Sequence, residues 1–177
     1  MFETRFVGKR SNDKSEIVKE LSEQEALYKA EAYCSLAEHC LSEVAEKLEQ
    51  WGVSSESKTR ILKKLVAERF IDESRYCRFF IHDKFKYNKW GRNKIAQALW
   101  QKKIDRQVSD PLLGSIDEEE YRNVLCGLLE AKRKTVKARN EYELNGKLIR
   151  FALGRGFEMN EIKACLSLRD DDGFMDE

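Results

Sequence analysis

The chain has 177 residues, with 33 lysines and arginines, 32 aspartates and glutamates, and a formal net charge of +1. Its single proline and nine glycines, together with abundant leucine, alanine, glutamate and lysine, are typical of an all-helical protein. No apolar run is long enough to span a membrane, and the polar N-terminus lacks the apolar segment of a signal peptide. We therefore expect a cytoplasmic protein with no membrane association.

The chain contains five cysteines, and none of them has the CxxC spacing of a redox or metal motif. Most fall on the apolar faces of predicted helices, where cysteine behaves as a small hydrophobic residue. We therefore expect reduced thiols in the core, as is usual in a cytosolic protein. The cysteines are Cys34, Cys40, Cys77, Cys126 and Cys165.

Helix start and stop signals organise the first part of the chain. Residues 1–20 are polar and lack helical periodicity, which predicts a flexible leader. Ser22 and Glu25 then have the spacing of a capping box at the start of a first helix. Ser42 is the predicted N-cap of a second helix, and Gly52 is placed to end it.

Both kinds of signal recur along the chain. The pattern I-D-E-x-x-Y, with Asp72 as the predicted N-cap, begins at Ile71 and returns 45 residues later at Ile116. The ends of the second helices also correspond, as W-G-V from Trp51, K-K-I from Lys102 and R-G-F from Arg155. This register predicts an all-α protein of three tandem three-helix repeats that form an elongated, curved molecule. The predicted segments are a leader at 1–20, repeats at 21–70, 71–115 and 116–169, and an acidic tail at 170–177.

The third helix of the middle repeat is less regular, because it would contain Asp110, Pro111 and Gly114. Proline is tolerated in the first turn of a helix and disrupts positions further inside. We therefore expect this helix to be short, with Asp110 as its cap.

Basic residues are concentrated in two parts of the chain. No acidic residue lies between Asp83 and Asp105, and the turn predicted at residues 88–91 would bring cations from two helices together. The helix after this turn would offer free backbone N–H groups to an anion. Such a surface is complementary to a polyanion or to an acidic protein groove. The predicted partner-binding or nucleic-acid-binding residues are Arg75, Arg78, Lys84, Lys86, Lys89, Trp90, Arg92, Lys94, Lys102, Lys103, Lys132, Arg133, Lys134, Lys137 and Arg139.

The aromatic residues divide between core and surface. Trp90 lies among the cations, where its ring would either contact a partner or pack between two helices, and both interpretations stay open. Trp51 and Trp100 continue apolar stripes and are predicted to pack in the core or between repeats. Phe79, Phe80 and Phe85 are also predicted to lie in the core.

The sequence contains no pattern that predicts an active site. His39 and His82 lack the HxxH spacing of zinc sites, and no glycine pattern matches a P-loop or follows a predicted strand. We therefore expect a protein that is not an enzyme and has no catalytic residues, cofactor or metal.

The order of the motifs resembles a known family. The segment 70–76, the basic stretch up to Trp90-Gly91 and the segment 94–104 resemble the core signature of the RecX regulatory proteins. The residues from Tyr33 to Val53 are similar to that family's opening repeat, and the resemblance covers roughly residues 22–168. At position 103, this chain has lysine where the family often has glycine.

This resemblance implies an all-helical, elongated regulator that binds the RecA recombinase filament. Members of the family lodge in the filament's groove, suppress ATP hydrolysis and strand exchange, and promote disassembly. We expect a monomer whose contact with single-stranded DNA, if made, is weak and independent of sequence. Two alternatives remain open: a DNA-binding helix-turn-helix protein that reads bases with the helix after Gly91, and a helical scaffold with no link to nucleic acid.

Overall fold

The computed structural model describes residues 21–167, and all regular secondary structure in this range is α-helical. The predicted leader and acidic tail lie outside the described residues. None of the described helices is long and apolar enough to cross a bilayer. The helices are α1 (Glu23–Leu36), α2 (Leu41–Gln50), α3 (Ser55–Ala67), α4 (Glu73–Lys86), α5 (Arg92–Gln101), α6 (Arg106–Gly114), α7 (Glu118–Arg133), α8 (Glu141–Gly154) and α9 (Met159–Leu166).

Consecutive helices pack in triads. Helices α1 to α3, α4 to α6 and α7 to α9 form three groups, and the main helix–helix packing lies within each group. This confirms the predicted all-α class and the three-helix repeat. The curvature of the molecule and the repeat boundaries stay predictions.

The predicted start signals of the triads are present as hydrogen bonds. The Ser22 amide donates to the Glu25 carboxylate at 2.9 Å, and the Glu25 amide donates to Ser22 Oγ at 3.3 Å, which completes the capping box. Asp72 caps α4 by accepting the Arg75 amide at 2.9 Å. Asp117, in the same position of the repeated pattern, caps α7 in the same way.

The prediction for Ser42 is wrong. The N-cap of helix α2 lies two residues earlier, at Cys40, and the helix begins at Leu41. The Ser42 hydroxyl donates instead to the carbonyl of Lys102 at 2.7 Å and so connects the first triad to the second. The Ser42 side chain, which the local sequence predicts as a helix cap, is therefore used in a contact with a distant part of the chain.

Helix α6 is short as predicted, but the prediction that Asp110 caps it is wrong. The helix has nine residues and starts at Arg106 with Asp105 as N-cap, and Pro111 lies inside it. Proline has no amide for the carbonyl of Gln107, four residues earlier. Gln107 and Pro111 are both exposed, so water can donate a hydrogen bond to that carbonyl and the helix continues.

The second helix of every triad ends in the same left-handed turn. The residue after the C-cap has a φ of 75° at Gly52, 62° at Lys103 and 87° at Gly156. The next amide then donates to a carbonyl five residues earlier, as a Schellman turn requires. These bonds are Val53 to Leu48 at 3.1 Å, Ile104 to Leu99 at 3.1 Å and Phe157 to Ala152 at 3.2 Å.

Buried side chains form two clusters. The first belongs to the first triad and includes Ile71, and Trp51 packs against it as predicted. The second runs through the second and third triads without a break and also takes Cys40 from the first. The second and third triads therefore share one core.

Two aromatic predictions are wrong: Phe79, predicted in the core, and Trp100, predicted in the core or between repeats, are both exposed. Phe85 is buried and Phe80 packs partly buried against the second cluster, but Phe79 is 59% exposed and Trp100 is 66% exposed. On α4 the buried stripe is formed by Tyr76, Cys77, Ile81 and Phe85. Phe79 lies on another face of the helix, so an apolar residue type alone did not predict burial.

The expectation of reduced cysteines is wrong for one pair. Packing of α7 against α9 brings Cys126 and Cys165 to a Cα–Cα distance of 5.4 Å, and they form a disulfide. Their 39-residue separation gave no signal in the sequence. The other three cysteines are free thiols.

Lys103 offers a test of the repeated turn. Because a Cβ disfavours the left-handed conformation, we expect Lys103→Gly to raise the free energy of unfolding by about 1 kcal/mol in urea titrations. Lys103→Ala removes the same charge but keeps the Cβ, so its stability should stay near that of the parent. Equal stabilisation by both substitutions would contradict this explanation.

Candidate nucleic-acid and partner interface

The first and second triads are joined around the carboxylate of Glu43. Glu43 accepts hydrogen bonds from the ammonium of Lys102 and, at 3.1 Å, from the hydroxyl of Tyr76, while His39 lies 3.3 Å away. Burial by itself would raise the pKa of Glu43, but the hydrogen bond and charge of Lys102, with the bonds from Tyr76 and His39, outweigh it and lower this pKa. The carboxylate is therefore ionised at neutral pH and holds Lys102 in the joint.

The second and third triads are joined backbone to backbone. The amide of Gly91 donates to the carbonyl of Arg155 at 2.8 Å, and the amide of Asn93 donates to the carbonyl of Gly156 at 3.1 Å. A Cβ on Gly91 would lie 2.3 Å from the Gly156 oxygen, so only glycine fits there. The prediction that the start of α5 offers free N–H groups to an anion is wrong, because the third triad occupies them.

The tyrosine of the repeated I-D-E-x-x-Y pattern has the same role at both joints. Tyr76 reaches the first turn of α2 and donates to Glu43. Tyr121 reaches the start of α5, where its hydroxyl accepts the amide of Arg92 at 3.0 Å. In both cases the first helix of one triad contacts the second helix of the triad before it.

Fourteen of the fifteen predicted binding residues are cations, and six of them form ion pairs within the described residues. These ion pairs neutralise part of the positive charge that the sequence predicts for the surface. They are Arg75 with Glu38, Lys84 with Asp83, Lys86 with Glu120, Arg92 with Glu118, Lys102 with Glu43 and Arg133 with Glu141.

Across residues 21–167, the other eight predicted cations have no acidic partner. Lys89 and Lys103 both lie in left-handed turns after helices. Four further residues, among them Arg78 on α4, are exposed, and Lys94 and Lys132 are partly buried. The eight are Arg78, Lys89, Lys94, Lys103, Lys132, Lys134, Lys137 and Arg139.

Aromatic rings alternate with cations along one face of the second triad; Phe80 and Trp90 are partly exposed, and Tyr76 is buried. Tyr76 stacks on Phe80 with ring centroids 5.8 Å apart, and the ammonium of Lys84 lies 5.2 Å from the Phe80 ring. Lys84 is also 5.8 Å from the ring of Trp90, which has Lys94 at 4.7 Å. Trp90 thus packs on the core, as one of its two interpretations predicts, and contact of its ring with a partner stays a prediction.

The alternation continues into the third triad. The Lys94 ammonium donates to the carbonyl of Gly154 at 3.3 Å, at the end of α8. One turn earlier, Phe151 has the guanidinium of Arg155 at 5.1 Å and the ammonium of Lys132 at 5.2 Å. We call this set the cation–aromatic ladder; its rings are Tyr76, Phe80, Trp90 and Phe151, and its cations are Lys84, Lys94, Lys102, Lys132 and Arg155.

The ladder brings together parts of both predicted basic clusters. It joins Lys84 and Lys94 of the first cluster to Lys132 of the second. A row of rings and cations can stack bases while it neutralises phosphates, and it also fits an acidic protein surface. Beside the ladder, in the first triad, the cleft next to Tyr33 is instead lined by Glu38, Glu43 and Glu46.

Comparison with known proteins agrees with this architecture. Residues 72–110 match a family model described as RecX, second three-helix domain, and residues 118–166 match RecX, third three-helix domain. Regulatory protein RecX of Clostridium botulinum (strain Eklund 17B / Type B) is 31% identical over 155 residues, which cover 84% of this chain and 72% of that protein. The chain belongs to the RecX family.

Other RecX proteins give the same picture. The protein of Clostridium botulinum (strain Alaska E43 / Type E3) is 32% identical over 157 residues, with the same two coverages of 84% and 72%. The crystal structure of RecX from Lactobacillus salivarius shares the fold, with a TM-score of 0.73 at 19% identity, over 82% of this chain and 94% of that chain. The relatives are named regulatory proteins, and the described chain is an all-helical regulatory protein of this family.

Sequence reasoning missed four members of the ladder in this RecX protein, namely Tyr76, Phe80, Phe151 and Arg155. Phe151 lies in the last turn of α8 and Arg155 is the C-cap of that helix four residues later, a spacing that places both side chains on one side of the helix. The Arg155 guanidinium also donates to the carbonyl of Asn88 at 2.9 Å, in the turn between α4 and α5. The spacing was a usable signal, but the contact with Asn88 depends on how the triads dock.

Gly91 provides a test of the joint between the second and third triads. We expect Gly91→Ala to lower the free energy of unfolding by about 1–3 kcal/mol, because the added methyl group collides with the Gly156 backbone. Hydrogen exchange at the Asn93 amide should also become faster. The matched control is Gly127→Ala on the exposed face of α7, where no atom lies within 4 Å of the new Cβ and the stability should rise slightly. Equal effects of the two substitutions would contradict the close contact.

Proposed function

We propose that this RecX-family protein is a non-enzymatic regulator that binds the RecA recombinase filament on single-stranded DNA and inhibits its ATPase and strand-exchange activities. In this proposal it modulates recombination and DNA repair. Its family membership supports the regulatory role. The single structural observation that supports a filament as partner is the ladder, which extends over two triads as an extended polymer requires.

The proposed contact divides the ladder's cations into two groups. Lys84 and Lys102 are paired with Asp83 and Glu43, so they orient the rings and contribute less free charge. Lys94, Lys132 and Arg155 have no acidic partner among the described residues and are placed to meet anionic groups of a partner. These three therefore carry the electrostatic part of the proposed contact.

The helix-turn-helix alternative is less well supported. A reader helix contacts bases with residues near its N-terminus. At the start of α5, the amides of Gly91, Arg92 and Asn93 are bonded to the third triad, and the Arg92 side chain is paired with Glu118. Entry of this end into a major groove would require the third triad to move away.

Charge reversal tests the proposed interface. We expect Lys94→Glu with Lys132→Glu to weaken binding to recombinase filaments by about tenfold or more, and to relieve inhibition of ATP hydrolysis accordingly. The matched control is Lys63→Glu with Arg106→Glu, which makes the same charge change at two exposed cations without acidic partners in the described range. The control should inhibit as the parent does.

The filament assay also separates the alternatives. The parent protein, added at well below one molecule per recombinase protomer, should slow ATP turnover on single-stranded DNA and shorten the filaments. Unchanged turnover and length would exclude the regulator and leave the scaffold interpretation. Equal losses in the ladder and control variants would show that net charge, and not the ladder, determines binding.

Salt dependence distinguishes weak contact with a DNA backbone from sequence reading. If Lys94, Lys132 and Arg155 neutralise three phosphates of a single strand, log affinity should fall against log salt with a slope of about −0.7 × 3, or about −2. We expect this slope for every single-stranded sequence, measured by fluorescence anisotropy between 50 and roughly 200 mM salt. Tight binding to one duplex sequence would instead favour the helix-turn-helix function.

A further inference from the structure

One covalent bond fastens the last described helix. The disulfide between Cys126 and Cys165 joins the middle of α7 to the end of α9. Helix α9 has only eight residues, and Ile162 is the one fully buried side chain it contributes. So short a helix depends on its attachments, and the disulfide is the strongest of them.

The noncovalent attachments of α9 lead directly to the joint between the second and third triads. Glu161 accepts a hydrogen bond from Arg122 at 2.9 Å, and Glu158 accepts one from the hydroxyl of Tyr121 at 2.6 Å. The same Tyr121 hydroxyl accepts the amide of Arg92 at the start of α5. The disulfide therefore holds one end of α9, and the other end supports the tyrosine in the joint.

The remaining cysteines are poorly placed to compete for this bond. Cys40 and Cys77 are buried, and burial raises the pKa of Cys77 to about 11. Burial also raises the pKa of Cys34. Because the thiolate is the nucleophile in disulfide exchange, the thiols of Cys34 and Cys77 react slowly at neutral pH. Cys126 and Cys165 are both partly exposed and can meet a small reagent.

We propose that Cys126 and Cys165 form a reversible dithiol–disulfide site that exchanges with low-molecular-weight disulfides and sets how firmly the third triad docks on the second. In the forward direction, one protein thiolate attacks a small disulfide and releases one small thiolate. The second protein thiolate then attacks the mixed disulfide and releases the other. The protein pair loses two electrons and two protons, and the small disulfide gains them as two thiols. The site does not depend on what the chain binds.

Thiol counting tests the bond itself. The full chain is equilibrated with oxidised and reduced glutathione at several ratios, alkylated under denaturing conditions, and analysed by peptide mass spectrometry. In oxidising mixtures we expect a linked pair of peptides that contain Cys126 and Cys165, with the other three thiols alkylated; in reducing mixtures all five should be alkylated. Alkylation of all five in every mixture, or a different pairing, would overturn the proposal.

Hydrogen exchange tests the coupling to the joint. We expect reduction of the parent to lower the thermal midpoint by roughly 10 °C, and to speed exchange in α9 and at the Arg92 amide. Cys126→Ser with Cys165→Ser should behave as the reduced parent in both buffers. Cys34→Ser is the matched control and should respond as the parent does. If the double variant still responds to reductant, or if α9 loosens while Arg92 stays protected, the proposed coupling is wrong.

Discussion

The amide of Gly91 lies against the carbonyl of Arg155, and much of the structure depends on this backbone contact. It needs glycine on one side because any Cβ would overlap the Gly156 backbone, and it needs the left-handed turn after α8 to present the carbonyls. Tyr121 completes it from the third triad by accepting the Arg92 amide. Through this contact two three-helix units share one core, whereas the first triad keeps a core of its own.

Charge has two separate uses in this molecule. Arg75, Arg92 and Lys102 are paired with carboxylates, and Lys102 and Arg92 also lie near the tyrosines at the joints. Because such pairs are partly shielded from water, they position the triads more than they attract a partner. The cations of the ladder that have no acidic partner among residues 21–167 lie instead against aromatic rings, and they are the ones that the proposed function assigns to a partner. A basic stretch in a sequence therefore overestimates the charge that a partner meets.

Much of the candidate site was predictable, but its geometry was not. The acid-free stretch indicated Lys84, Trp90 and Lys94 because charge segregation is visible along a chain. The same pattern gave no indication that Arg92 forms an ion pair with Glu118, because that pair requires the third triad to dock on the second. Phe79 shows the same limit for the core: its residue type predicts burial, but the face that α4 turns inward was already filled.

The sequence by itself determined the helices, their repeat and most of their caps and turns. Caps and left-handed turns depend on residues within a few positions of each other, so Asp72, Asp117 and Gly52 indicated them correctly. Only the tertiary structure decided which cations remain unpaired, which rings form the ladder and which cysteines are bonded. Those outcomes depend on groups that lie tens of residues apart, such as Cys126 and Cys165 or Asn88 and Arg155, and their distances are set by packing between helices and not by local sequence.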